Sequence, residues 1–477
     1  MPQFSCSDAY LLRSYWYHWY ALRGHTIEAK EGNYQQPVVC SGTGQSRMPD
    51  SSSAPAHLRE NRWRHDPELA RGSLRTFLDH QREDGSIPAS IGLNSSSGEA
   101  LSQWGKAVLD LHAVHPSQQL LRDAYDGLSR YSRYSDRSHD RESSGLYDLN
   151  PSQQPGETQT RRLSRPESGG AATQEGVVRI KAVDSTVYMY DLKRSLALMA
   201  REFGKDGEAE LWDIEADKIR NAVRTLMWDP DTRMFFDVDA EEGRRTMVKA
   251  AACFLPYGTD IVTAEHLEGL KTHLFNQEEF WSPYPVPSLS MDDESFSPTP
   301  DWRGRRVGSP ENGRVWPKSN SQLVEATAAC ALIFEDNALR RKTADLITSF
   351  VRMMFFHGDP RLPNCCEHYN PVTGYPSSYR GIDDVESSWM VDLIIKYVCG
   401  IRPAGENVII DPFPFGLKSA SIDDVRVREK KLRVEIRQKV YTVWIDGTRY
   451  GTTNIGKTMI VPLHGHDLPG SPAKHRS

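Results

Sequence analysis

Five apolar residues, Trp212, Ala216, Ile219, Val223 and Leu226, recur at spacings of four, three, four and three. That period places all five on one face of a helix and leaves the opposite face polar. Such a helix gains most of its stability by packing its stripe against a partner. The preceding segment, from Lys181 to Gly204, is also helical in character, so the two read as an antiparallel pair. The pattern returns along the chain. Asp66-Pro67 reads as a helix start with proline in the first turn, followed by Leu69, Leu74, Phe77 and Leu78 as a stripe. Gln103 to Tyr134 reads as helical, with Trp104, Val108, Leu111, Leu120, Leu121, Tyr125 and Leu128 at helix-like spacing. A further helix follows Trp316-Pro317, and an apolar run from Trp389 to Val398 is the last.

Past Pro403 the period changes to alternation. Segments 407–410, 421–427, 431–436, 440–445 and 457–461 read as strands, with Asp446-Gly447 as a hairpin turn. The expected division is a helical domain over 1–403 that includes an aromatic N-terminal segment, a small antiparallel β domain over 404–464, and a tail over 465–477. At 477 residues and 38% hydrophobic content, the chain has room for a core of that size. The net charge of −6, with no basic stripe, weighs against a nucleic-acid partner. No apolar run approaches the ~18–20 residues of a membrane span. The N-terminus carries no charged segment followed by an apolar core. Seven cysteines, two of them adjacent at Cys365-Cys366, suit thiols better than a disulfide framework, so a cytoplasmic location is expected. On that reading the sequon at Asn94 is fortuitous. No metal-ligand cluster, phosphate loop or dinucleotide fingerprint is present, so neither metal nor cofactor is expected.

The loops are polar and aromatic. Glu367 stands among His368, Tyr369 and Asn370, ahead of turns at Asn370-Pro371 and Thr373-Gly374. Such a loop suits the rim of a sugar pocket, because aromatic faces stack on sugar rings and carboxylates pair with hydroxyls. On composition alone, Glu367 is equally suited to capping a helix or forming a salt bridge. Ser135 to Gly176 is another long polar stretch, a length usually tied to function or disorder; Ser164 to Gly176 leans toward disorder.

Glu-His-Tyr-Asn-Pro-x-Thr-Gly, followed by Ser-Ser-Trp and a last helix, resembles the C-terminal catalytic segment of glycoside hydrolase family 63 and its mannosylglycerate-hydrolase-like and trehalase-like relatives. His57 to Trp63 with a Gln-x-x-Asp-Gly turn, the Trp-Asp-Pro-Asp segment at 228–231, and Asn312 to Trp316 with Asn320 are similar to other blocks of that group, in the right order. The resemblance implies an (α/α)6 toroid followed by a β domain. It also implies an inverting α-glycosidase acting on a small α-glucoside or α-mannoside, with Glu367 as general base. The family's acid segment, Ser-Gly-x-(Asp/Glu)-x-Ser-x-Arg, corresponds to Pro155 to Arg161 with one residue deleted, which makes Glu157 the acid and Arg161 its companion; Asp148 is the reserve. Arg162 stands where the family commonly has an aromatic. Sugar contacts are expected from Glu60, Arg62, Trp63, Trp104, Arg161, Arg314, Trp316, Tyr369 and Trp389. Two other readings remain: a glycan-binding protein with a decayed site, and a sugar isomerase or epimerase that would need paired histidines, with His25, His57 and His368 near the motif blocks.

Overall fold

The structure, a computed structural model, describes residues 1–32, 34–44, 47–92, 101–149, 160–163, 178–299, 301–302, 305–306, 309–377 and 387–463. Glu157, Asn94 and the 164–176 stretch lie outside the described residues. The helices are α1 (Ala9–Gly24), α2 (Ala54–Asn61), α3 (Glu68–Asp79), α4 (Trp104–Val114), α5 (Gln118–His139), α6 (Val183–Glu202), α7 (Asp206–Ala222), α8 (Ala264–Leu274), α9 (Pro317–Ile333), α10 (Asn337–Met353) and α11 (Met390–Leu393). A 3₁₀ segment spans Ala251–Gly258, and a π turn, Ile394–Val398, continues α11.

These pack as two concentric rings. Helices α2, α4, α6, the 3₁₀ segment, α9 and α11 each contact the next, and α11 contacts α2, closing the inner ring. Outside them lie α3, α5, α7, α8 and α10, each against the inner segment that precedes it, while α1 backs α11. The fold is the expected (α/α)6 toroid. Sequence distinguishes the layers. Outer α5 buries one stripe, whereas inner α6 is buried along nearly its whole length and inner α9 packs Ala326, Thr327, Ala328 and Ala331. Small residues let an inner helix approach neighbours on several sides at once.

Two details depart from the helical periodicity. The stretch from Gln103 to Tyr134 is two helices, because Pro116 lacks an N–H and bars His115 from helical geometry. Ser117 then caps α5, accepting from the Leu120 N–H at 3.3 Å. This break is the inner-to-outer turn of one hairpin. After α7 the stripe also slips. A π turn at Val223–Met227 adds a residue, so Leu226 is 46% exposed and Met227 takes the buried place.

The β module holds two sheets. One has the antiparallel order Gln3–Cys6, Ser419–Val427, Lys430–Arg437, Val440–Ile445, Thr448–Asn454. The other joins Ile401–Ala404, Asn407–Ile410 and Met459–Pro462. The edge strand of the larger sheet comes from the other end of the chain: Gln3 lies opposite Asp423 and Cys6 opposite Ala420. At the junction with the toroid, Gly400 has φ +80°, and a Cβ there would sit 2.3 Å from the Pro412 nitrogen. Among the described residues, no helix is long and apolar enough to cross a membrane, and none of the seven cysteines forms a disulfide.

Candidate active site at the N-terminal ends of the inner helices

The described parts of the outer-to-inner connections lead into the N-terminal ends of the inner segments, which form one mouth of the toroid. Glu367 sits there, half-buried, on a tight hairpin. Its strands pair through His368 O with Ser377 N (2.8 Å) and Asn370 N with Tyr375 O (2.8 Å). The Asn370 carboxamide closes the turn by accepting from the Val372 and Thr373 N–H groups. On the other side, Tyr369 exchanges two 2.9 Å backbone bonds with Val315. Tyr369 is fully buried; its hydroxyl donates to Asn364 Oδ1 and accepts from the Cys366 N–H, both at 2.7 Å. Arg314 Nε donates to His368 Nδ1 (3.0 Å), while its Nη atoms reach the carbonyls of Pro298 and Tyr375. Trp316 lays its ring against His368 with centroids 5.1 Å apart. Arg314 and Tyr369 therefore brace the backbone on both sides of Glu367. Gly313, at φ +145°, lets this loop pass Phe296, whose ring carbons lie 2.8 Å from where a Cβ would be.

Residues 160–163, just after the expected acid, are hooked to the same wall. The Arg161 N–H donates to Asn312 Oδ1 at 2.8 Å, and its guanidinium lies 3.5 Å from Asp293. Arg162 forks onto two carboxylates, with Nε and Nη2 on Asp237 (2.8 and 2.9 Å) and Nη1 and Nη2 on Asp184 (3.0 and 3.1 Å). Burial alone would lower the Arg162 pKa; Asp184 and Asp237 instead hold it well above its ordinary value. Burial works against the charge of Asp184 too, yet Arg162 keeps that carboxyl below its usual range. Sequence reading missed this anchor. Its signals are an acid heading the apolar helix α6 and another, Asp237, inside the run Met234 to Val238, since a buried acid needs a paired cation. Asp148 is engaged elsewhere, 3.0 Å from Lys181 Nζ and 3.5 Å from Arg179.

Glu60, Arg62 and Trp63, expected at the sugar, point their polar atoms at α11 instead. Glu60 accepts from the Val391 and Asp392 N–H groups at 2.9 and 3.3 Å, capping that helix from outside it. Asp392 Oδ1 receives Arg62 Nη2 (2.6 Å), Arg62 Nε (3.0 Å) and Trp63 Nε1 (2.6 Å). All four residues are 2% exposed or less. The cluster clasps the first inner helix to the last. Trp104 is fully buried, with its ring against Phe77.

Trp389 marks the floor of the mouth. Arg59 stacks over its indole at 4.7 Å and donates to Gln103 Oε1 at 3.1 Å. Behind them, within the ring, lies a small cavity of about 30 Å³, lined among others by Arg59, Gln103, Lys106, Asp191, Gln322 and Trp389. Gln322 donates to the Tyr188 hydroxyl at 2.8 Å, joining inner helices α9 and α6. Five of the expected site residues, Arg161, Arg314, Trp316, Glu367 and Tyr369, thus share one connected wall.

A closed double ring of helices with a carboxylate hairpin, aromatic rings and buried arginines at one mouth defines the toroid-glycosidase class. The family model described as mannosylglycerate hydrolase MGH1-like glycoside hydrolase domain matches residues 50–383, and the chain belongs to that family. Among solved structures, a sialidase superposes with TM-score 0.76 at 19% identity, covering 97% of this chain and 41% of its own. The chain therefore spans about two-fifths of that protein. The GH63 mannosylglycerate hydrolase of Thermus thermophilus gives TM-score 0.59 at 18% identity, over 80% of this chain and 98% of that one. A GH78 rhamnosidase of a Bacillus species gives 0.63 at 14%, over 91% and 40%.

Proposed function

We propose that this chain hydrolyses the α-glycosidic bond of a small α-glucoside or α-mannoside with inversion, the product leaving as the opposite anomer. The observation that carries the reading is the Glu367 hairpin, whose backbone is braced by Arg314, Tyr369 and Asn370 at the mouth of a lumen floored by Trp389. Glu367 serves as general base, drawing a proton from a water that attacks the anomeric carbon. An acid on the opposite face protonates the leaving oxygen, and the two carboxyls of such a pair stand roughly 6.5–9.5 Å apart to admit the water. Glu157 is assigned that acid: it shortly precedes the segment that Arg161 and Arg162 tie to Asn312, Asp184 and Asp237. A glycosylglycerate is the favoured substrate class, because a structurally similar enzyme, the Thermus mannosylglycerate hydrolase, is known in complex with Tris and D-glycerate. A cytoplasmic location fits seven cysteines that are all thiols.

The test is hydrolysis of α-linked disaccharides and glycosylglycerates by wild type, Glu367→Gln and Glu157→Gln, with the product anomer followed by proton NMR. Release of a β-anomer that both variants abolish is the expected result. Retention of configuration, or full activity in Glu367→Gln, sinks the assignment.

A further inference from the structure

From Ser282 to Pro287 prolines alternate with Ser282, Tyr284 and Val286. Each proline fixes its own φ, restricts the residue before it and removes a donor, so the stretch is a stiff arm. Between Pro283 and Pro287 only Tyr284 and Val286 keep an N–H, and both are spent on the wall that carries Glu367. Tyr284 N donates to the Pro371 carbonyl in the hairpin turn at 2.9 Å, and Val286 N donates to Asn320 Oδ1 on α9 at 2.8 Å. The Tyr284 ring lies against the same turn: a Cβ on Gly374 would sit 3.0 Å from it. Farther along, the Pro298 carbonyl accepts from Asn370 Nδ2 and Arg314 Nη1, both at 3.0 Å.

Lys249 closes the neck of this arm. It stands two residues ahead of the inner 3₁₀ segment. Its Nζ lies 2.7 Å from Glu279 Oε1 and 2.7 Å from Asp292 Oδ2, one carboxylate at each end of the arm. The backbone completes the closure: Met291 N donates to the Glu279 carbonyl at 2.8 Å, and Ser290 N to that of Lys249 at 3.0 Å. Burial would lower the Lys249 pKa, but Asp292 and Glu279 raise it above its ordinary value. Each carboxylate also has a second partner. His273 Nδ1 is 2.6 Å from Glu279 Oε2, and the Ser290 hydroxyl donates to Asp292 Oδ1 at 2.6 Å. With those partners in place and Asp292 42% exposed, the Lys249 pairs add little to global stability. What they add is a fixed separation between the two ends of the arm.

We propose that Lys249 is a positioning residue for the general base: its two ion pairs set the arm from Glu279 to Asp292, and Tyr284 on that arm holds the hairpin that presents Glu367. The effect on rate rests on the glycosidase reading; the effect on the hairpin is measurable without substrate.

The experiment uses the full chain as wild type, Lys249→Met, Lys249→Arg, Tyr284→Ala and the Lys249→Met/Tyr284→Ala double variant. Amide hydrogen exchange, read by mass spectrometry, follows the peptide over 367–377. Turnover is measured on whichever α-linked disaccharide or glycosylglycerate the wild type cleaves. Lys249→Met should exchange faster over 367–377, with α9 and α10 protected as in wild type and the melting temperature little changed. A misplacement of about 1 Å costs about a hundredfold, so kcat should fall about ten- to hundredfold while KM moves far less. Lys249→Arg should restore most of the rate, because its guanidinium can fork onto both carboxylates. The double variant should be no slower than the slower single one, since both changes act through one contact. Wild-type exchange over 367–377 in Lys249→Met overturns the proposal, whatever the turnover. So does exchange that quickens evenly across the toroid, or a rate loss that adds in full to that of Tyr284→Ala. If the wild type cleaves no member of the panel, the hydrolytic reading falls, and the exchange result alone decides whether Lys249 sets the hairpin.

Discussion

Asp392→Ala tests whether Arg62 and Trp63 hold the ring together or hold a sugar. In the wild type one carboxylate oxygen accepts three hydrogen bonds, two from a fully buried guanidinium and one from an indole. Removing one partner of a buried ion pair costs about 3–5 kcal/mol, because the surviving charge stays buried. Asp110 offsets part of that cost, since its carboxylate lies 3.0 Å from Arg62 Nη1. A loss of about 3 kcal/mol, at the lower end, is therefore expected. Asp392→Asn, which keeps an acceptor at the same place, should lose less. Urea unfolding followed by tryptophan fluorescence reads the midpoint directly, since Trp63 is in the cluster. With an m-value of about 3 kcal/mol per molar or somewhat more for a chain this long, the midpoint should fall by up to about 1 M. If Asp392→Ala unfolds at the wild-type midpoint while substrate KM rises, the clasp argument is wrong and these residues face the sugar.

Three further outcomes are expected. Arg162→Met leaves Asp184 and Asp237 buried without their cation; a melting-temperature loss larger than for any single surface substitution should result, and Arg162→Lys should restore only part because one ammonium cannot fork onto two carboxylates. His273 Nδ1 lies 2.6 Å from Glu279, which raises the imidazole pKa above 6.5 although burial opposes it; Glu279 is correspondingly depressed below 4.5. The His273 contribution is full below 6.5 and lost as pH rises through its raised value, while that of Glu279 is lost as pH falls through its lowered one. The stability gap between wild type and His273→Gln, read from urea midpoints, should be wider at about pH 5.5 than at about pH 9. Gly400→Ala should destabilise by more than ~1 kcal/mol, both from its positive φ and from contact with Pro412, as measured by thermal unfolding.

Much of this architecture can be read from periodicity, and the failures have physical causes. The Trp212 stripe shows an outer helix because such a helix meets core on one side only. Lys106 escapes the same logic. On an isolated amphipathic helix it falls on the polar face and reads as solvated, but an inner helix of a toroid turns its polar face to the lumen, and there Lys106 lines a cavity. Arg62 and Trp63 were expected at the sugar because the resemblance implies it; only tertiary contact shows that their donors go to Asp392, far along the chain, and to Asp110. Gln3–Cys6 is too short and too polar to read as a strand, and its partner lies at the far end of the sequence. The Glu367 loop was legible as a candidate site because it gathers a carboxylate, an aromatic and an amide next to turn residues. That Arg314 and Tyr369 grip its backbone was not, since the bonds run to main-chain atoms that any residue supplies.

The edge strand Gln3–Cys6 has a consequence for how this molecule comes into being. Gln3–Cys6 is made well before the strands it pairs with, and α1 well before α11, the inner helix it backs. Neither the ring nor the sheet can be completed until α11 and the strand Thr448–Asn454 have been made. Until the last strands emerge, the nascent chain carries an open toroid with an unbacked terminal helix and a strand waiting for its partner. Closing so long a loop is entropically slow and leaves apolar edges uncovered meanwhile. Two segments some four hundred residues apart fasten each other, so a blockage at either would be felt at both.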